Sequence, residues 1–232
     1  MQYRLLRSLS RKDSFQKNNI MKTLSAKYLP GIENLSEGEI FNELHLVDRH
    51  EIDCVNWKEY PYAPEVGFHL AFSDKVLAVL FEVNENHVKA VTLENNGPVW
   101  EDSCVEFFIG NPAGEGYFNF EMNCVGAVLA AKRKSKADAQ HFGPEIMSQI
   151  RNFGSLKHEK IDCQQDGQSW WRVEIIPFSV PGLDEAPASL RGNFYKCGDN
   201  CAQTHFLSWS EIELPKPNFH CPDYFGEILL TR

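Results

Sequence analysis

The chain has 232 residues, 43% of them hydrophobic, and a formal net charge of −9. That length fits one large β domain or two small ones, and it can bury a proper core. The negative charge argues against a nucleic-acid partner, because phosphate binding needs a basic face. No apolar run is long enough to cross a bilayer.

Residues 1–20 hold Arg4, Arg7, Arg11, Lys12 and Lys17 against Asp13 alone. No apolar stretch follows, so this basic start does not read as a secretory signal, and the default location is cytoplasmic. Met21 offers a second start. Residues 1–20 are expected to be a disordered extension or a start-site artefact, and 21–232 the folded domain.

Downstream, short strands dominate. Segment 67–73 alternates weakly. Segment 75–83 is apolar on both parities (Val76, Ala78, Leu80 and Leu77, Val79, Phe81), as a central buried strand should be. Segment 88–93 is expected to pair beside it. Segment 102–109 reads as a strand ending at the turn Gly110-Asn111-Pro112. Segment 117–124 alternates most cleanly. Phe118, Phe120, Met122 and Cys124 share one face; Tyr117, Asn119, Glu121 and Asn123 share the other, which is expected to be solvated. After Gly126, segment 127–133 completes a hairpin. A basic loop follows at 132–136.

Pro144 opens one or two helical turns over 144–150. Trp170 and Trp171 are adjacent in a strand at 170–176, so they point to opposite faces. Three prolines and two acids make 177–190 a long connection. Further strands are predicted at 191–195, 205–209 and 224–230. This pattern predicts one all-β domain, a single antiparallel β-sandwich of immunoglobulin-like or jelly-roll-like type with one or two short helical turns.

The seven cysteines are an odd count in a chain too large to need disulfide staples, so they are expected to be reduced. Cys197, Cys201 and His205 form the one cluster with metal-ligand chemistry. Its C-x₃-C-x₃-H spacing is not a strong zinc pattern, and no metal is expected there. Met122 with one of the eight histidines could ligate haem, but it shares the apolar parity of Phe118 and Phe120 and reads as core. No nucleophile, zinc-protease or phosphate-loop motif is present.

The segment Trp100-Glu101-Asp102-Ser103-Cys104-Val105-Glu106-Phe107-Phe108-Ile109 carries the clearest functional signal. It follows the turn Asn95-Asn96-Gly97-Pro98, so Trp100 is either a core anchor or a flat platform for a ligand's apolar face. Trp209 has the same two readings. Glu106, Glu121 and Asn123 sit on strands, and Arg191 and Arg172 could supply complementary donors. Carboxylates accept hydrogen bonds from hydroxyls, and a guanidinium grips two at once. Glu101, Asp102 and Glu106 are also candidates for carboxylate-pair hydrolysis, but adjacency in sequence does not make an opposed pair.

Trp100 to Ile109 resembles the W-x-D-S-V-E-hydrophobic strand of type 9 carbohydrate-binding modules and their DOMON-like relatives. Phe219 to Ile228 is similar to that group's closing F-H-x-P-x-x-F-G segment, and Asn193 to Lys196 with Phe206 to Trp209 to the segment before it. The resemblance covers about residues 40–230. It implies a non-catalytic β-sandwich that holds a saccharide or polysaccharide end on aromatic rings. Trp100 and Trp209 would stack, while Glu101, Asp102, Glu106, Glu121 and Arg191 would bond the hydroxyls. It also implies no cofactor beyond structural calcium in some members, and a glycoside hydrolase as partner. Two alternatives are a glycoside-processing enzyme using Glu106 or Glu121, and a haem-binding DOMON-like redox module.

Overall fold

The computed structural model describes residues 21–164 and 167–232, the side chains of 163 and 164 excepted. The segment 1–20 lies outside the described residues. These contain seventeen strands and two α-helices, so the chain is nearly all β. No helix among them is long and apolar enough to cross a membrane.

Two sheets pack face to face. The front sheet runs Thr23–Ser25, Gly226–Leu229, Ser189–Cys197, Cys104–Gly110, Tyr117–Asn123, Val128–Arg133, Gln140–His141. The back sheet runs Arg151–Gly154, Gln168–Pro177, Val76–Glu85, Glu65–Phe72, Lys27–Tyr28. Pairing is mostly antiparallel. The exceptions are two short parallel contacts, Thr23–Ser25 with Gly226–Leu229 and Lys27–Tyr28 with Glu65–Phe72. Val76–Glu85 lies between two neighbours and under a helix, which is why both its parities are apolar. Segment 88–93 differs from expectation. Only Val88–Ala90 is strand, and it pairs with Ile161–Gln164 rather than beside Val76–Glu85.

Alternation sets the core. Phe118, Phe120 and Met122 face the space between the sheets with Phe107, Phe194, Phe68 and Phe81. Phe194 is sandwiched by Phe107 at 4.3 Å and Phe68 at 3.7 Å, one ring from each sheet. Met122 is therefore packed in the core. Trp170 joins this core, while Trp171 leaves by the other face and packs on Phe41.

The opposite parity of Tyr117–Asn123 is a correction. Asn119, Glu121 and Asn123 are not solvated; none is more than 3% exposed. Chain from 56–60 and 206–225 roofs this outer face with a second apolar cluster, including Trp57, Phe108, Tyr117, Tyr195 and Phe219. The outer face of the back sheet is covered too, by the helix Glu37–His45, which the strand periodicity does not reveal. Its start is a capping box: the Ser36 hydroxyl accepts from Glu39 N–H, and the Glu39 carboxylate accepts from Ser36 N–H. Ile40 and Leu44 then settle on Ala71, Ala78, Leu80 and Val173.

One fully buried ion pair spans the two sheets. Lys196 Nζ lies 3.0 Å from Glu85 Oε2, and Trp170 Nε1 donates to Glu85 Oε1 at 2.7 Å. Lys196 Nζ also donates to the Cys197 carbonyl and contacts His205 Nε2 at 2.8 Å.

Candidate functional site

The roof over the front sheet is incomplete. It leaves a cleft of about 340 Å³ whose floor is strand and whose walls are loops. Glu106 and Glu121 are direct cross-strand partners on the floor. Arg133 enters from the next strand. Cross-strand alternation alone puts these three on one face, since each shares parity with the outward residues of its strand.

The floor is a chain of hydrogen bonds. Arg133 donates through Nη1 to the Lys136 carbonyl and through Nε to Asn119 Oδ1 at 2.8 Å. Asn119 Nδ2 donates to Glu121 Oε1 at 2.9 Å, and the Cys197 thiol donates to Glu106 Oε1 at 3.1 Å. Burial pushes Glu121 up to about 7, against the pull of Arg133. Burial, and then the charge of Glu121, push Glu106 well above the usual carboxylate range. A carboxyl raised in this way holds a proton more readily near neutral pH, so the floor can both donate and accept.

The walls come from three loops. Trp100 sits in the single turn Val99–Glu101 and is 36% exposed. The turn before it is pinned by Asn96, whose left-handed backbone (φ 60°) aims Oδ1 at Ala130 N–H and Nδ2 at the Phe142 carbonyl. On the far side, the Trp100 carbonyl accepts from Asp199 N–H, and Cys197 Sγ lies 3.6 Å from it. Asp199 adds a carboxylate that burial raises to about 6. The third loop supplies Asn218, Phe219 and His220, with Phe206 beside them. Phe219 is stacked on Tyr195 at 4.2 Å, and the Tyr195 hydroxyl donates to the Phe219 carbonyl. His220 Nδ1 lies 2.9 Å from the Tyr117 hydroxyl. Burial and then Arg133 lower His220 to about 3, so the ring is neutral at pH 7.

Of the residues expected to bind a ligand, Trp100, Glu106 and Glu121 are brought together here. The others lie elsewhere. Trp209 is 2% exposed, edge-on to Phe68 and Phe194, with Lys22 Nζ over its ring and Gly226 against it. Its ring is core and offers no free face. Asp102 is fully buried; its oxygens accept from Val91 N–H, Thr92 N–H and Asn123 Nδ2, each at 3.0 Å. It braces the Trp100 turn from beneath. Glu101 enters the site's framework through its backbone carbonyl, which accepts from Lys89 Nζ and Asn200 N–H. Arg191 shares the outer face but lies beyond the cleft and donates to the Phe225 carbonyl at 2.6 Å. Arg172 stands on the back sheet, in the strand Gln168–Pro177, and donates to Asn152 Oδ1 and the Leu156 carbonyl.

Sequence reasoning missed Arg133, Lys136, Asp199, Phe206, Asn218, Phe219 and His220. The Phe-His-Cys-Pro stretch was the available signal for the third wall. It has no strand periodicity to show which ring faces inward.

The cluster Cys197, Cys201 and His205 does not present a ligand set. Both ring nitrogens of His205 are occupied, by the Gln203 carbonyl and Lys196. The six cysteines with described side chains are free. Among the described residues two groups of ligand atoms converge: Cys104, Glu106 and Cys197, and His45, His69 and Glu82. Calcium takes six to eight oxygen ligands. Each group offers a single carboxylate, and Asp102 is already saturated by N–H donors, so these residues do not fit a structural calcium.

A β-sandwich with a polar, ring-walled cleft on its outer face is the architecture of a small-ligand binding module. The model of carbohydrate-binding family 9 matches residues 39–230, and the chain belongs to that family. A protein from Bacteroides uniformis, proposed to bind carbohydrate, is 34% identical; the match covers 91% of this chain and all of that one, with a TM-score of 0.87. A family 9 module from Caldicellulosiruptor kristjanssonii, solved with glucose and with cellotriose, is 14% identical with a TM-score of 0.61. Those matches cover 90% of this chain and 96% and 93% of the two module structures, and show a shared fold. No curated protein matches the sequence.

Proposed function

We propose that the cleft binds one end of a saccharide without chemical change to it. One observation carries this reading: a part-exposed indole, Trp100, stands at the edge of a floor made of Glu106, Glu121 and Arg133. A pyranose presents apolar C–H faces and a rim of hydroxyls, and this cleft has a surface for each. Its volume is at the low end for small-ligand sites, about 300–1,000 Å³, which suits a chain end rather than a long segment.

In this reading the sugar ring lies on Trp100, with Phe206 and Phe219 closing the opposite side. Glu106 and Glu121 accept or donate according to their protonation. Arg133 Nη2, Asn218 and Asp199 take the remaining hydroxyls. Glu106 and Glu121 stand side by side on the floor, which suits a hydroxyl gripped by two groups better than a bond attacked from two sides. The family and the glucose and cellotriose complexes of the 14% identical module support the class of ligand. A glycoside hydrolase acting on the same polymer is the partner this reading implies. Affinity should be modest, about millimolar to micromolar, because hydroxyls give up good bonds to water on entry.

Calorimetric titration of the full chain with glucose, cellotriose and a panel of other neutral sugars tests this. Saturable binding of at least one is expected. Absence of heat and of any thermal shift across the panel would contradict the proposal.

A further inference from the structure

Away from the cleft, on the outer face of the back sheet, three ligand-type side chains meet. His45 ends the helix Glu37–His45, His69 stands in the strand Glu65–Phe72, and Glu82 stands in the adjacent strand Val76–Glu85. One ligand atom from each lies within 4.8 Å of the other two. His45 Nδ1 is 3.2 Å from Glu82 Oε1, and His69 Nε2 is 3.1 Å from Glu82 Oε2.

The hydrogen bonding of His69 gives this group its meaning. Its Nδ1 is 2.7 Å from the Val47 carbonyl, which can only accept, so Nδ1 carries a proton. Nε2 is then left facing a carboxylate. In the neutral ring that nitrogen is a lone pair, and two acceptors at 3.1 Å need a positive centre between them. A proton can serve; so can a metal cation. The second shell favours the metal arrangement. Ligating histidines typically donate their other N–H to a backbone carbonyl or carboxylate, which fixes the tautomer and the ring. His69 is 3% exposed and so is held rigidly. His45 is steadied by stacking on Phe41, one helical turn earlier.

The separations suit a small ion. Zinc–ligand bonds of about 2.0–2.2 Å in a tetrahedron place donor atoms about 3.3 Å apart. Glu82 meets the two imidazoles with different oxygens, Oε1 for His45 at 3.2 Å and Oε2 for His69 at 3.1 Å, and the three donor atoms lie within 4.8 Å of one another, so binding draws the exposed His45 ring inward. His45 is exposed and Glu82 part-exposed, which leaves an entry path and room for water in the fourth position. The Arg49 guanidinium lies at the rim, with Nε 3.8 Å from Glu82 Oε2. Glu51 and Glu65 pair with it and offset its charge.

We infer that His45, His69 and Glu82 form a binding site for a zinc-class divalent cation, completed by water, that clamps the end of the helix to the back sheet. The donor set of two imidazoles and one carboxylate fits zinc, copper, nickel or cobalt and does not fit calcium or magnesium. The site does not depend on the saccharide reading of the cleft.

The test is zinc binding to the full chain, freed of metal by a chelator and kept reduced. Competition with a chromophoric chelator should show one tight equivalent, with a rise in melting temperature. His45→Ala changes an exposed side chain and should fold; it should weaken zinc binding at least tenfold and remove the rise. Glu82→Gln should do the same. Cobalt(II) should bind competitively without the near-ultraviolet band of a thiolate ligand. A wild type that takes up no zinc would overturn the proposal. So would binding unchanged in His45→Ala, or a thiolate band lost in Cys197→Ser, which would place the metal at Cys104, Glu106 and Cys197.

Discussion

Trp100→Ala separates the two roles a tryptophan at a loop–strand junction can have. The ring is 36% exposed, so about a third of its surface is free for a ligand to cover. A tryptophan side chain can bury about 150–250 Å², so that third is roughly 50–90 Å². At about 25 cal/mol per Å², covering it contributes about 1–2 kcal/mol. Removing it should therefore weaken sugar binding about 5- to 30-fold. The backbone of the turn should survive, because Asn96, Asp102 and the loop at Asp199 hold it through atoms that the substitution leaves in place. The variant should melt close to wild type. A core tryptophan would behave differently and cost about 3–5 kcal/mol of stability; Trp209→Ala is the matched control, since that ring is 2% exposed. The assay is a thermal melt and a calorimetric titration on each variant. A Trp100→Ala protein that binds sugar as well as wild type, or that melts as early as Trp209→Ala, would refute the reasoning.

Two further outcomes follow from the buried charges. Burial raises Glu174 to about 8, against Arg172, so between about pH 4.5 and 8 the folded state holds a proton that the unfolded state has released. That contribution is fully present below about pH 4.5 and is lost as pH rises toward 8, by at most about 1.4 kcal/mol per pH unit. Melts at pH 5 and pH 8.5 should show Glu174→Gln flattening this decline; parallel profiles for variant and wild type would contradict it. Lys196→Met leaves Glu85 as a buried charge beside a neutral His205, and should cost about 3–5 kcal/mol in denaturant unfolding. Lys196→Met with Glu85→Gln should recover part of that loss, and no recovery would argue against the ion pair as the cause.

The strands were legible because period-two alternation is local. Tyr117–Asn123 could be read from its own seven residues. The burial of its polar face could not, because the roof comes from the distant segments 56–60 and 206–225. The helix Glu37–His45 did carry a local signal, Ser36 followed by Glu39, but nothing in a strand-based reading looks for it. At the site, Trp100, Glu106 and Glu121 were legible from motif and parity together. Arg133 was hidden because it lies in a basic run that reads as a solvated loop. Phe219 and His220 were hidden because loops have no periodicity to fix direction. Trp209 and Asp102 show the converse. Their residue types suit ligand binding, yet packing under Gly226 and three N–H donors give each a structural task. Burial of that kind depends on distant chain and leaves no mark on the residue itself.

The most direct measurement uses the indole N–H resonances. The chain has five tryptophans. Each can be assigned by single substitution; Trp170 and Trp209 lie in the core between the sheets, and Trp171 packs on the outer face of the back sheet against Phe41. In a ¹⁵N correlation spectrum titrated with glucose and then cellotriose, the Trp100 signal should shift most and saturate, while those of Trp170, Trp171 and Trp209 stay in place. Saturable sugar binding that moves the Trp171 or Trp209 signal and leaves Trp100 unmoved would contradict the account.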